Sequence, residues 1–546
     1  MNFQKLLAPE PPPWSTVEAR QAAVLVDADI YYATFYQAAL LAQRSVCLAG
    51  WQFDSLARLL RPAAVEPTPG RRTEHPIELL PFLEHLCERS PRLEVFILAW
   101  DYSLVYALER EWLQRLKFEF QSHSRVHFAF SSHPGMGGCL HQKYALIDSR
   151  VAFVGGLDLC DSRWDTRAHV AADQRRLDVR GNPYKAFHDI QLALRGPVVK
   201  ALRGLFRESW ERARSDEPIP SQPSSTLGNG SVADVAGPPS VRAQELQELP
   251  SEQALSDSQP PERTEASAAD PYDLMRLSGG RALVFGATRL GLSRTDIVST
   301  SQPPTFEVRL LFERAIEAAE RVIYVETQYF TSRVIAQALC RRFADPERSK
   351  LDVILVMPDG ADTPKEDLVL GARQRAVRHR VAREAERHGH RFRLLKSVLK
   401  SAPASATATF IHAKLLIVDD ELLNIGSANL TNRSMGLDTE LNVSSATGLE
   451  DPRDAARLRS EIAAIRADLL AEHAGLDDAS RFLSLDGLIE AVDEACNDPS
   501  SKLCSQVIRE PERSNELLSS LFDPARPLDW ESVDESLRNA KDWLQT

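Results

Sequence analysis

One pattern of histidine, lysine and aspartate occurs twice, and its copies anchor a duplication that runs through most of the chain. Residues 141–148 read HQKYALID and residues 412–419 read HAKLLIVD, both H-x-K-x-x-x-x-D. Three fixed residues at about one in twenty each recur by chance ~0.07 times in a chain this long, so two chance copies are a coincidence of a few in a thousand. Two more segments repeat in the same order. Residues 44–55 (RSVCLAGWQFDS) echo 321–332 (RVIYVETQYFTS), and 93–101 (LEVFILAWD) echo 351–359 (LDVILVMPD). Spacing this long marks a duplicated domain, not a short-period solenoid.

Each echo is an apolar run of strand length. Helix-like stretches precede the first two pairs, at 33–43, 77–88 and 307–321. Strands alternating with helices predict an α/β layer fold in each half. Residues 455–473 read as one long amphipathic helix. Between the halves, 215–270 holds eight prolines, ten serines and no aromatic residue, with ten acidic residues against two arginines. Such a composition buries too little apolar surface to offset chain entropy and predicts a disordered linker. The expected organisation is a first lobe at 1–213, the linker at 214–272, a second lobe at 273–476 and a helical extension at 477–546.

On a strand, residues i and i+2 face the same way, so His141 shares a face with Lys143 and His412 with Lys414. Asp148 and Asp419 then read as braces of turns into a second strand. That strand ends at Gly155-Gly156 in one half and at Gly426-Ser427 in the other. The glycines at this register predict close backbone approach to a ligand. If the halves pack face to face, two His, two Lys and Asn429 converge on one small anionic group. Lysine supplies charge to phosphoryl oxygens and asparagine a neutral donor, so the site needs no metal and no cofactor. The halves differ at one point: Asp158 stands where the second half has Asn429.

The pair of motifs resembles the phospholipase D superfamily, and soluble bacterial phospholipase D-like proteins most of all. The resemblance extends to Gly155-Gly-Leu-Asp-Leu159, Arg163-Trp-Asp-Thr166, Phe187-His-Asp189 and Gly196-Pro197. In the second half it takes in Tyr324-Val-Glu-Thr-Gln-Tyr-Phe, Asn432-Arg-Ser-Met-Gly-Leu-Asp-Thr-Glu440 and Ala471-Glu-His-Ala-Gly475. It implies two homologous α/β sandwich lobes around one shared site, and a glycerophospholipid substrate cleaved through a phosphohistidine. It also implies His141 as nucleophile, His412 as general acid and base, and Lys143, Lys414 and Asn429 as phosphoryl holders; the motif spacing itself leaves the order of the histidines open. Asp189 and Glu440, at corresponding positions downstream, are the candidates to fix the imidazole tautomers. Asp158, Arg163, Trp164 and Gln328 are candidates for substrate contact, with plain packing as the alternative for Trp164, and for Gln328 and Glu326 on the shared strand.

The implied reactions are hydrolysis of the distal phosphodiester to phosphatidic acid, cardiolipin-type phosphatidyl transfer, or phosphodiester cleavage in nucleic acid. Asp158 follows the phospholipase variant of the motif and favours the first. Seven scattered cysteines without a C-x-x-C pair indicate neither a disulfide framework nor a zinc knuckle. No signal peptide or membrane span is evident, so the expectation is a cytoplasmic monomer touching membranes transiently, with export as an effector left open. The formal charge is −12, of which the 215–270 segment carries most, while 373–396 holds nine Arg/Lys against two Glu. That basic stretch reads as a solvated face or an anionic-membrane contact. A dedicated nucleic-acid partner is not expected.

Overall fold

The computed structural model describes residues 15–61, 75–101, 114, 117–118, 121–131, 138–215, 270–296, 304–360, 367–399, 408–510 and 523–524. The expected linker lies almost wholly outside them.

Two mixed sheets carry the duplication. The first contains β2 (Gln21–Val26), β3 (Ser45–Gly50), β4 (Glu94–Trp100), β5 (Val126–Ser131), β6 (Tyr144–Ile147), β7 (Val151–Gly155) and β9 (Ile190–Arg195). Its order is β2-β9-β7-β6-β3-β4-β5. The second repeats that order with β11 (Thr288–Asp296), β19 (Glu440–Ala446), β18 (Leu422–Gly426), β17 (Leu415–Val418), β13 (Val322–Glu326), β14 (Asp352–Val356) and β15 (Arg391–Ser397). In both, the three strands β3-β4-β5 or β13-β14-β15 pair in parallel, and the others antiparallel. Three two-residue strands lie outside this repeat. β8 (Phe187–His188) and β16 (Phe410–Ile411) pair with each other, and β12 (Thr305–Phe306) pairs with β11. The fold is therefore α/β, with two homologous lobes.

The expected boundaries differ from sheet membership. β1 (Ser15–Ala19), from the start of the chain, pairs with β11 and joins the second sheet. β10 (Leu283–Phe285), from the second half, pairs with β2 and joins the first. Each lobe thus covers an edge strand of the other, which removes two exposed edges. The region after 476 is not purely helical. A helix at Leu488–Asn497 leads to β20 (Leu503–Ser505), which closes the far edge of the second sheet against β15.

Strand side chains sort by period two. On β6, Tyr144 and Leu146 join the cluster between the sheets, while Ala145 and Ile147 join the outer core of the first lobe. On β17, Leu415 and Ile417 face inward, and Leu416 and Val418 pack on the outer helices. The same alternation continues on β7, where Val154 faces in and Phe153 out. The two sheets thus meet through one apolar layer. The helix Pro452–Ala474, close to the expected 455–473, contributes Leu458, Ile462, Leu469 and Leu470 to it.

The motif aspartates hold both lobes in the same way. Asp148 accepts from the backbone N–H groups of Gln43, Arg44 and Ser45 at 2.6–2.8 Å, and Asp419 from those of Glu320, Arg321 and Val322 at 2.7–2.8 Å. Each opens a three-residue hairpin connection whose first two residues have positive φ, 49° and 53° at Asp148-Ser149 and 54° and 55° at Asp419-Asp420. Each carboxylate ties that hairpin to the start of the lobe's central strand. Asp148→Ala and Asp419→Ala should each destabilise the chain by about 2–4 kcal/mol, because three charge-assisted bonds go and alanine disfavours positive φ. Urea unfolding of the two variants checks both the loss and its similarity between lobes.

Candidate active site

Two short parallel pairings between the lobes place the histidines. Leu140 pairs with Thr439, and β16 pairs with β8. One residue further on, the His141 N–H donates to Thr439 O at 3.0 Å and the His412 N–H to His188 O at 2.8 Å. The next residues of the partner strands are Glu440 and Asp189. Glu440 takes His141 Nδ1 at 2.9 Å, and Asp189 takes His412 Nδ1 at 2.5 Å. Each orienting carboxylate comes from the opposite lobe. With Nδ1 engaged, Nε2 of each ring is the nitrogen left for chemistry.

The small residues at the ends of β7 and β18 serve these carboxylates, not a ligand backbone. A Cβ on Gly156 would lie 2.1 Å from Asp189 Oδ1, and one on Gly155 2.2 Å from Gln191 Oε1. A Cβ on Gly426 would lie 2.4 Å from Asn442. Ser427, at the position of Gly156, has room for its hydroxyl, which donates to Glu440 Oε2 at 2.5 Å. The expected approach of these glycines to substrate is therefore corrected to close packing of strand on strand.

The lysines are held differently. Lys143 Nζ bonds Asp158 Oδ2 at 2.7 Å, and Asp158 Oδ1 accepts the Trp51 N–H at 3.0 Å. Asp158 is thus the counterion of Lys143, which corrects its expected place among substrate contacts. Asn429 at the matching position is neutral, and its buried Oδ1 has no hydrogen-bond partner among the described residues. Lys414 turns to its own motif, donating to His412 O and lying 3.0 Å from His412 Nδ1. Burial lowers the Lys414 ammonium to about 7, with the Lys143 charge adding to the effect. The Lys143, Glu440 and Asp158 charges of the other half-site all bear on Lys414, so the half-sites share one field. Burial, then the Lys414 charge, hold the His412 imidazole down to about 3, which favours the neutral ring.

Arg163 reaches the site's edge: its guanidinium lies 5.0 Å from the Phe187 ring centre, and that ring lies 5.2 Å from His412. Trp164 does not. It is 2% exposed, packed in the first lobe's core under Arg61 and Arg175, so the packing alternative holds. Gln328 is half-buried and donates to the Tyr329 hydroxyl at 2.8 Å, while its neighbour Thr327 accepts the Leu430 N–H beside Asn429. Glu326 is fully buried on His188, His473 and Tyr324. Trp51 escapes the sequence reading. Its ring centre lies 5.8 Å from Lys143 Nζ and stacks on Trp100, and its place just after the first echoed strand is the available signal. Much of the basic 373–396 stretch is spent in ion pairs, with Arg375 on Asp367, Arg391 on Asp352 and Glu490, Arg393 on Asp493, and Lys396 on Asp359.

Two crossed His–carboxylate pairs, flanked by two lysines, define a class: two-lobe α/β proteins with duplicated H-x-K half-sites. A family model described as "Cardiolipin synthase, PLD-like domain" matches residues 312–464. Phospholipase D alpha 2 of Oryza sativa subsp. japonica is 25% identical over 422 residues, covering 62% of this chain and 49% of that protein. Phospholipase D zeta 2 of Arabidopsis thaliana is 23% identical, covering 79% and 51%. Phospholipase D1 of Saccharomyces cerevisiae is 24% identical, covering 75% and 26%. The chain spans about half the length, or less, of these curated relatives. Among solved structures, phosphatidylserine synthase of Haemophilus influenzae aligns over 97% of this chain and 96% of its own at 11% identity and TM-score 0.49. Nuc of Salmonella typhimurium aligns over 31% and 86% at 19% identity and TM-score 0.21. Residues 312–464 thus match a PLD-like domain, and the chain as a whole is similar to phospholipases D.

Two measurements probe this geometry. Gly156→Ala should cost about 1–3 kcal/mol by forcing Asp189 off its seat. Gly204→Ala, in the helix Pro197–Ser215 with open space at its Cβ, should stabilise by about 0.5–1 kcal/mol. Paired melting curves compare them. Sulfate, which stays dianionic, should bind about tenfold more weakly per pH unit above about pH 7, because the anion must then recruit the proton that Lys414 has lost. Titration calorimetry reads the slope, and Lys414→Met should flatten it.

Proposed function

We propose that this protein is a phospholipase D that hydrolyses the distal phosphodiester of glycerophospholipids. The observation that carries the reading is the crossed pairing of His141 with Glu440 and His412 with Asp189, which orients two imidazoles beside Lys143 and Lys414. One Nε2 attacks phosphorus, and the bond to the head-group oxygen breaks. The other imidazole gives that oxygen its proton, so an alcohol departs and a phosphatidyl-histidine remains. The same imidazole then takes a proton from water, the water oxygen displaces the histidine, and phosphatidic acid leaves. An alcohol in place of water gives phosphatidyl transfer.

The family order puts phosphorus on His141. His412, whose neutral ring is favoured, must then gain its proton as the phosphodiester's negative charge enters beside Lys414. The reverse order has its own support in that same neutrality, since a neutral ring is a ready nucleophile.

Among the described residues no helix is long and apolar enough to cross a membrane. Substrate is therefore met from the water side in this reading. The exposed Arg380 and Arg383 on the helix Ala372–Arg387 are the proposed contacts with anionic lipid, in a monomeric, cytoplasmic, peripherally bound protein.

Vesicles of phosphatidylcholine or phosphatidylethanolamine with added ethanol test the proposal by product mass spectrometry. Phosphatidic acid and phosphatidylethanol are expected, and His141→Ala and His412→Ala should each lower turnover by about 10³-fold or more. Peptide mapping of the quenched enzyme should find phosphate on His141; phosphate on His412 reverses the order. Cardiolipin formed from phosphatidylglycerol, without phosphatidic acid, would replace hydrolysis by transfer. Absence of all these products sinks the proposal.

A further inference from the structure

At the seam between the lobes, behind the catalytic histidines, lies a second set of polar side chains that the reaction above does not use. Asp27, His169, His188 and Glu472 are each at most 2% exposed. One ligating atom from each falls within 4.8 Å of the others. His169 Nε2 stands 3.6 Å from Asp27 Oδ2 and 3.2 Å from Glu472 Oε1. His188 Nδ1 stands 3.1 Å from Asp27 Oδ1 and 2.9 Å from Glu472 Oε1. Ligands at about 2.0–2.1 Å from a tetrahedral ion are about 3.3 Å apart; the separations of both imidazoles from the shared Glu472 Oε1 are near that value, while Asp27 meets the two imidazoles through different oxygens.

We propose that Asp27, His169, His188 and Glu472 form a structural site for one divalent transition-metal ion, with zinc the best fit, joining the two lobes.

Three features separate this site from an ordinary buried ion-pair cluster. The first is the outer partner of each imidazole. His169 Nδ1 bonds Asp165 Oδ2 at 3.0 Å, and Asp165 is held by both oxygens on Arg176 Nη1. His188 Nε2 bonds Glu326 Oε2 at 2.8 Å, and Glu326 is held in turn by His473 and Tyr324. A carboxylate on the far nitrogen is the usual support of a metal-bound imidazole. The second is Asp27 Oδ2, which is buried and, among the described residues, accepts no hydrogen bond, its nearest cationic neighbour being His169 Nε2 at 3.6 Å. The third is backbone strain. Asp27 sits at φ 64° as the first residue of the helix Asp27–Leu40, a conformation uncommon for a residue other than glycine. A divalent ion taking the place of two imidazole protons leaves the net charge of the pocket unchanged. Two imidazoles and two carboxylates with no thiolate suit zinc or cobalt in a closed, four-ligand structural site.

The ion would act through position. Glu472 belongs to the helix Pro452–Ala474 of the second half, and the other three ligands to the first half. His188 O receives the His412 N–H, and the Asp27 N–H donates to Asp189 O at 2.8 Å. An ion here locks the strand that presents Asp189, with no contact to substrate.

The test is metal content of the full-length chain, grown in minimal medium with Co²⁺ as the sole added transition metal, then desalted. About one equivalent of retained cobalt is expected, with the visible d–d absorption of tetrahedral Co²⁺ and without thiolate charge-transfer bands. His169→Gln and Glu472→Gln should each cut retention at least tenfold. His390→Gln, at a buried histidine of the second lobe outside the cluster, should leave it unchanged. Retention below about a tenth of an equivalent in the unsubstituted chain overturns the proposal whether or not the variants fold. So do thiolate bands, or cobalt that stays bound in soluble His169→Gln and Glu472→Gln chains. All readouts are independent of lipid turnover, so failure of the lipid assay and failure of this proposal are separate results.

Discussion

The proposed active site hangs on two hydrogen bonds that cross between lobes, from His141 to Glu440 and from His412 to Asp189. They exist because parallel pairings of Leu140 with Thr439 and of β16 with β8 set the register. A slip of one residue in either would turn the carboxylate to the opposite face and leave an imidazole unoriented. The register is enforced by the apolar layer between the sheets, where Leu146, Val154 and Leu192 meet the face carrying Leu415, Leu423 and Leu441. Exchange of β1 and β10 binds each lobe into the other's sheet. Hydrophobic burial is thus the source of catalytic geometry, and a lone lobe contains a histidine without its partner.

The duplication is symmetric in backbone and asymmetric in charge. Lys143 is paired with Asp158, while Lys414, whose half carries the neutral Asn429 at the matching position, loses proton affinity to burial and to Lys143. A phosphodiester brings one negative charge. Two fully charged lysines in a buried cleft would repel each other and, in the proposed reaction, would hold the more highly charged phosphomonoester product too tightly. One compensated and one readily discharged lysine relieve both problems. Asp158, standing where the second half has asparagine, makes sense as a counterion.

The parts legible in the sequence are those set by local spacing. The i, i+2 placement of His141 with Lys143, the strand echoes, and the turn-bracing role of Asp148 and Asp419 follow from period two and from hairpin chemistry. The crossing of the carboxylates is not legible, because sequence order places Asp189 and Glu440 symmetrically and says nothing about which lobe each serves. The glycine pairs mislead for a related reason. Their role depends on Asp189, Gln191 and Asn442 lying across a strand pairing, which no local pattern reveals. A boundary at 273 misses the exchange of β10, a three-residue strand too short to carry a period. The basic run at 373–396 looks free because its acidic partners, such as Asp352, Glu490 and Asp493, lie tens of residues away.

The same distance hides the cluster of Asp27, His169, His188 and Glu472, whose members are spread over most of the chain. Buried ions cost several kcal/mol each to desolvate, and apolar residues of equal volume often stabilise a fold as well or better. The seam beside this cluster is already apolar, so cohesion of the lobes does not call for charge there. Apolar contacts, however, allow small sliding, whereas imidazoles held at both nitrogens have one position. His188 directly precedes Asp189 in the chain, and the Asp27 N–H donates to Asp189 O. A polar seam at that place converts docking that is merely tight into docking with a defined orientation, which is what an imidazole needs when its orienting carboxylate is borne by another lobe.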